Sequence, residues 1–155
     1  MGGVDPKDES TFPSWVVPSD PKETVRPKEV ILQEMEARGF SKDEAFAVKL
    51  ALEEAFSNAI KHGNRCDSAK SILIRYAVSA ERVVVIVRDE GGGFEPEQIP
   101  DPTHPDRLPL PNGRGIMLMR AYMDEVCYRD HGREVYMVKR RTPGGTPPCQ
   151  SPTHR

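Results

Sequence analysis

"EEAFSNAIKHGN", residues 53–64, sets Glu54, Asn58 and His62 at strict intervals of four in a stretch that reads as helix. Side chains four apart stand one above another on a helical face, with Cβ atoms about 5–6 Å apart. A solvated face ordinarily carries Lys, Glu and Arg, so a column of carboxylate, amide and imidazole asks for another explanation. Upstream, "SKDE" at 41–44 is a capping box, with Ser41 as the cap and Glu44 reaching back. The helix it opens is expected to run to about His62, where Gly63 stops it. Its apolar stripe is Ala45, Val48, Leu52, Ala55, Phe56 and Ala59, the spacing of a core-facing surface. At about 100° per residue, Glu54 and Asn58 point well away from the centre of that stripe. They face something other than the core.

The elements around this helix follow from their own patterns. "SWVVP" at 14–18 is predicted as an edge strand, and a short helix after it ends near Arg38 with Gly39 as its C-cap. "SILIRYAV" at 71–78 and "RVVVIVR" at 82–88 predict two strands joined by "SAE". The second is apolar on both faces and belongs centrally, under a layer of helix. Then come "DEGGGFEP", a proline-rich loop, and "NGRGIMLMRAYMD", a glycine turn opening a second long helix. "EVCYRD" and "REVYMVKR", with "HG" between them, predict a closing hairpin. The expected fold is α+β: a two-layer sandwich of a largely antiparallel sheet with helices on one face.

Length and composition bound the rest. A chain of 155 residues is one domain with room for a real core, and 37% hydrophobic with 30% charged residues is ordinary for a soluble protein. A net charge of −2 gives no electrostatic reason to expect nucleic acid or a membrane surface. The aliphatic run "VVVIV" at 83–87 is far too short to cross a bilayer. "MGGVDPKDES" has neither a basic nor an apolar leader region. Cys66, Cys127 and Cys149 are too few and too scattered for a disulfide framework or a zinc site, and read as reduced thiols of a cytoplasmic protein. Five of the 15 prolines fall before residue 28, six between 96 and 111 and four after 142. Residues 1–13 and 142–155 are therefore expected as disordered tails around a domain at 14–141. The middle cluster is a long loop inside a compact domain, the signature of a lid or binding loop.

Three segments have chemistry to offer. Asn58 is a neutral oxygen ligand suited to Mg²⁺, and Glu54 one turn away could take a proton from an attacking hydroxyl or water. Taken alone, Glu54 reads as a solvated surface acid, and His62 reads best as a structural residue satisfying the last helix carbonyls. In "DEGGGF" at 89–94, Asp89 ends a central strand and Gly91 and Gly93 alternate after it. A plain turn would explain the glycines, but so would backbone making room for a flat ligand whose exocyclic amine donates to Asp89. "GRG" at 113–115 opens a helix, where free N–H groups and the dipole favour an anion, although taken alone it reads as a plain turn. The chain contains no G-x4-G-K-[ST] and lacks the Gly-rich loop and "HRD" of ordinary protein kinases.

The order "E-x-x-x-N-A-x-x-H-G", "D-x-G-x-G-F", a long loop and "G-x-G" before a helix resembles the GHKL ATPase superfamily of gyrase, histidine kinases and the mismatch-repair ATPase. The resemblance covers about residues 14–140. It is nearest to the small bacterial anti-sigma-factor serine/threonine kinases, in "EEAFSNAIKHGN" and "GRGIMLMRAYMDEV" above all. It implies the family's ATP-binding fold, with ATP and Mg²⁺ bound. By position, Asn58 would coordinate Mg²⁺, Glu54 would be the general base and Asp89 would accept from the adenine amine. Gly91 and Gly93 would shape the adenine floor, residues 95–112 would form the lid, and Gly113, Arg114 and Gly115 would offer N–H groups to the phosphates. The implied partners are a sigma factor or similar regulator and a small antagonist of the anti-sigma function as the phosphorylated substrate. Direct nucleic-acid binding is not implied, and a homodimer is compatible with it.

One departure stands out. The family often places a basic residue shortly before the second glycine motif, where this chain has Pro111 and Asn112. Arg114 or Arg107 would have to replace it, or phosphotransfer is weak. The alternative to a kinase is therefore a non-catalytic switch, in which nucleotide only sets the shape of a partner-binding surface. A detached histidine-kinase ATPase domain is the third reading. It is disfavoured because no dimerisation helix with a phospho-accepting His precedes the domain in this sequence.

Overall fold

In the computed structural model, which describes residues 8–65, 67, 69–91 and 119–142, two helices lie against one sheet. Helix α1 is Val25–Ala37 and α2 is Lys42–Asn58. Between them the chain reverses at Gly39, whose φ of +88° is left-handed and therefore suits glycine. The capping box forms as its spacing predicts. Ser41 Oγ accepts the Glu44 N–H at 3.0 Å, and Glu44 Oε1 accepts the Ser41 N–H at 2.8 Å.

The strands are β1 (Ser14–Pro18), β2 (Ser71–Val78), β3 (Arg82–Arg88), β4 (Glu125–Arg129) and β5 (Glu134–Arg140). They pair antiparallel throughout, in the order β1-β2-β3-β5-β4. As predicted, β1 is an edge strand and β3 is central. Its alternation explains the two-sided apolar run. Val83, Val85 and Val87 enter the main core with Ile31 and Met35 of α1 and Val48, Leu52 and Phe56 of α2, while Val84 and Ile86 pack on the other face. Each such side chain, fully buried, contributes about 1.5–3 kcal/mol of transfer free energy. Tyr76 ties β2 to both neighbours. Its ring stacks on Trp15 of β1, with centroids 5.2 Å apart, and its hydroxyl donates to Glu34 of α1 at 2.8 Å.

Residues 8–13 depart from the expected disordered tail. Asp8 caps a single 3-10 turn, Glu9–Thr11, and Phe12 is buried against Ala77, Val84, Ile86 and Val138 on the outer face of the sheet. Glu9 pairs there with Arg129 at 3.0 Å and Arg75 at 3.5 Å. One aromatic among polar residues carries little periodic signal, so the sheet face, rather than the segment itself, determines its placement. At the other end, Thr142 is anchored: its N–H and hydroxyl donate to Glu44 Oε2 at 2.6 and 2.7 Å. Residues 1–7 and 143–155 lie outside the described residues, as does the expected lid. Of the expected second helix, 119–124 fall within them; 119–122 are helical and 123–124 form a bend. Cys127 is a free, exposed thiol, while Cys66 and Cys149 lie outside the described residues.

Glu44 therefore caps α2 and ties down the exit of β5. Burial alone would raise its carboxyl, but the hydrogen bonds from Ser41 and Thr142 outweigh burial and the net shift is downward. A carboxyl lowered on folding contributes stability above its unfolded range, and that contribution is lost as pH falls through the folded value. Glu44→Ala is expected to lower unfolding free energy by about 1–3 kcal/mol at neutral pH in denaturant titrations. The gap from the unmodified protein should narrow in acid, since both then lack the ionised group; a gap that stays constant with pH would contradict this account.

Candidate functional site

Helix α2 does not continue to His62 in α-helical form. After Asn58 it widens into a π turn, Ala59–Gly63, closed by Asn64 N–H on the Ala59 carbonyl at 2.8 Å. Such turns hold more residues per revolution and occur mostly as single insertions, frequently at functional sites. His62 lies within this widened turn rather than in the α-helix. Its imidazole is exposed, and among the described residues nothing hydrogen-bonds it. The carbonyl it was expected to satisfy is taken by the backbone instead. Glu54 and Asn58, within the α-helical part, keep their stacking. Both are half-buried, and among the described residues neither has a hydrogen-bond partner.

Asn64 is wholly buried and explains the widened turn. Its Oδ1 accepts the Glu90 N–H at 2.8 Å, and its Nδ2 donates to the Ser71 carbonyl at 3.0 Å. Glu90 Oε2 in turn accepts the Ser71 N–H at 2.8 Å. The three residues after β3 thus have every N–H engaged. Asp89 donates to the Arg133 carbonyl at 2.9 Å, Glu90 to Asn64, and Gly91 to Asp89 Oδ1 at 2.8 Å. Buried backbone donors must find partners, so this complete pairing fixes the loop.

Two glycines let these pieces meet. A Cβ on Gly63 would stand 2.1 Å from Asp89 Oδ2, and one on Gly91 would stand 1.7 Å from the Gly63 carbonyl oxygen. No side chain fits either place. Asp89 itself is only 8% exposed. Burial pushes its carboxyl up from the ordinary value, while the Gly91 N–H and the charges of Arg133, Arg88 and Lys70 draw it down and offset only part of the rise.

Asn58, Ala59, Gly63, Asp89, Tyr128 and Arg133 line one cavity of about 20 Å³, room for about one water. A larger hollow of about 300 Å³ lies on the other side of α2, but there Lys28 and Glu53 pair with each other at 3.0 Å. The small cavity has the more telling set of groups: a buried carboxylate, an amide with no hydrogen-bond partner among the described residues and a backbone cradle closed to any side chain. That set fits a flat base presenting an amine. It also fits a single-ligand Mg²⁺ site, since Mg²⁺ usually takes only one or two protein ligands. Among the described residues no three His, Cys, Asp or Glu gather as a metal cage.

The structure therefore brings Asn58, Asp89 and Gly91 together and leaves Glu54 one helical turn before Asn58, outside the cavity lining. Gly93, Gly113, Arg114 and Gly115 lie outside the described residues. Sequence reasoning missed Gly63, Asn64 and Arg133. For the first two a signal existed, because "HGN" closes the same motif that supplied Asn58.

Comparison with known proteins identifies the family. The model of the histidine kinase-like ATPase domain matches residues 17–139. The chain is similar to the serine-protein kinase RsbW of Bacillus subtilis (strain 168), with 35% identity over 108 residues that cover 65% of this chain and 68% of that protein. It is also similar to an anti-sigma F factor of Clostridium perfringens, with 30% identity over 103 residues, 63% of this chain and 74% of that protein. The sandwich of one antiparallel sheet with two helices on it is consistent with the fold of this class of ATPase. The chain belongs to the histidine kinase-like (GHKL) ATPase family, in the group of the anti-sigma-factor kinases. No helix among the described residues is long and apolar enough to cross a membrane.

The Gly63 contact generates a test. Gly63→Ala would drive a methyl group into the Asp89 carboxylate, and overpacking of this kind costs about 1–3 kcal/mol. The variant is expected to melt lower than the unmodified protein and to lose at least about tenfold in ATP affinity by calorimetry. Unchanged affinity would show that Asp89 does not need its present place.

Proposed function

We propose that this protein binds ATP with Mg²⁺ and acts as an anti-sigma-type serine/threonine protein kinase. In this reading it holds a sigma factor or related regulator and phosphorylates a small antagonist protein on Ser or Thr. The observation that carries the reading is the buried Asp89 carboxylate, seated between two glycines that admit no side chain, on the same cavity as Asn58. The names of the similar proteins, a serine-protein kinase and an anti-sigma F factor, support the choice within the family.

The roles follow from chemistry. Asp89, charged and acceptor-only, would take the hydrogen bond of the base's exocyclic amine. Asn58 would lend its amide oxygen to Mg²⁺, and ATP would supply the terminal phosphoryl group. Glu54, one turn away and without a hydrogen-bond partner among the described residues, would receive the proton of the substrate hydroxyl as its oxygen bonds to the terminal phosphorus and the bond to the departing ADP breaks. Gly113, Arg114 and Gly115 would offer N–H groups to the phosphates, Gly93 would extend the floor and residues 95–112 would close over them. Pro111 and Asn112, standing where a basic residue often lies, favour a second reading: a nucleotide-dependent partner switch without phosphotransfer.

Incubation with Mg-ATP and each candidate antagonist from the same genome, read as phosphoserine or phosphothreonine by mass spectrometry, separates the two. Glu54→Gln is expected to bind ATP nearly normally yet lose about 10²–10⁴-fold in phosphotransfer. Asn58→Ala should instead weaken binding only when Mg²⁺ is present. Asp89→Ala should lower ATP affinity about tenfold to a hundredfold, the worth of a charged hydrogen bond. Tight ATP binding without phosphate on any antagonist would favour the switch; equal affinity in Asp89→Ala would remove the base-recognition role.

A further inference from the structure

Residue 133 grips the 89–91 loop twice. Its carbonyl accepts the Asp89 N–H at 2.9 Å, and its side-chain Nε donates to the Gly91 carbonyl at 2.8 Å. Both ends of a three-residue loop are thus held by one residue of the β4–β5 turn, while Asn64 holds the middle.

The turn that presents Arg133 is itself unusual. Asp130 and His131 have φ of +53° and +56°, followed by Gly132 at +83°. Left-handed backbone is uncommon away from glycine and persists where surrounding contacts over-determine it. Here Asp130 supplies those contacts: Arg88 pairs with its carboxylate, and Arg133 Nη1 donates to its Oδ1 at 3.3 Å. The guanidinium is therefore braced at one end by the turn and applied at the other to the Gly91 peptide.

We propose that Arg133 is a positioning residue for base recognition, acting through Gly91 on Asp89. The proposal rests on the reading of this cavity as an adenine-nucleotide site. Holding the Gly91 carbonyl fixes the plane of the loop, which keeps the Gly91 N–H on Asp89 Oδ1 and so sets the carboxylate's orientation within the cavity. A planar guanidinium suits this task, because its fork directs one donor to the turn and another to the loop without further rotamer freedom. The Arg133 charge also draws the Asp89 carboxyl downward, toward the ionised acceptor form.

The test compares ATP with purine riboside triphosphate, which lacks the exocyclic amine, by calorimetric titration of the full-length protein. The ratio of the two affinities measures the Asp89–amine contact alone. Arg133→Ala is expected to weaken ATP about tenfold and the amine-free analogue far less, bringing the ratio close to that of Asp89→Ala. Arg133→Lys, which keeps the charge but not the fork, should fall between; it also serves if the alanine variant fails to show a native circular dichroism spectrum. Equal weakening of both nucleotides, or of neither, overturns the proposal, since a merely structural arginine would not discriminate between them. If Asp89→Ala itself leaves the ratio unchanged, the adenine reading fails and this proposal falls with it. An unchanged ratio in the Arg133 variants alone overturns only the positioning role.

Discussion

The amide of Asn64 joins three parts of the chain that are distant in sequence: the end of α2, the start of β2 and the loop after β3. It does so with both ends of one buried side chain, accepting from Glu90 and donating to Ser71. A buried amide left half-satisfied would cost about 1–3 kcal/mol, so its two partners are obligatory rather than incidental. That requirement sets the geometry of everything around it. To put Asn64 there, α2 must add a residue in its last turn, and Gly63 must then pass so close to Asp89 and Gly91 that neither position 63 nor position 91 can carry a Cβ. The site is thus a consequence of how the helix ends.

Behind this junction stands a rigid layer. The main core beneath α1 and α2 is aliphatic and closely packed, and β3 runs through its middle with both faces covered. Asp89 follows immediately after that strand. A carboxylate at the end of a central strand has its backbone fixed by pairing on both sides, from Leu73–Arg88 and Arg88–Glu134, and needs only local contacts to fix its side chain. The polar residues of the site therefore sit on the most constrained stretch of main chain that the fold offers. Positional precision comes from the strand, and chemical identity from the residues just beyond it.

How much of this was legible depends on where the information resides. The strands, both helices, the capping box and the closing hairpin were readable because each is decided by local periodicity or turn chemistry. Asn58 and Glu54 were readable because helical spacing converts directly into a shared face. His62 obeyed the same spacing, but the α-helix ends before it in a π turn tied to Asn64's distant partners, which no local pattern announces. Arg133 could not be found from sequence at all. It reaches the site through the pairing of β5 with β3, a long-range register that places the β4–β5 turn beside residue 89. Phe12 was misjudged for a related reason: its burial depends on an apolar patch of Ala77, Val84, Ile86 and Val138 that exists only once the sheet has formed.

The electrostatics of Asp89 give the arrangement its direction. Burial favours the neutral carboxylic acid, so the folded carboxyl is raised above its unfolded value. The sign of the consequence is fixed: once pH exceeds the unfolded range, the ionised group is less favourable in the folded chain than in the unfolded one, and it subtracts from stability. Arg133, Arg88, Lys70 and the Gly91 N–H recover part of that loss without removing it. A ligand that donates a hydrogen bond to the carboxylate favours the charged form and recovers more. The fold thus carries an unfavourable charge whose natural complement is a neutral hydrogen-bond donor reaching its cavity, as the exocyclic amine of the proposed nucleotide would. Under the proposed adenine reading, the group that recognises the base is also the one at which binding would recover stability.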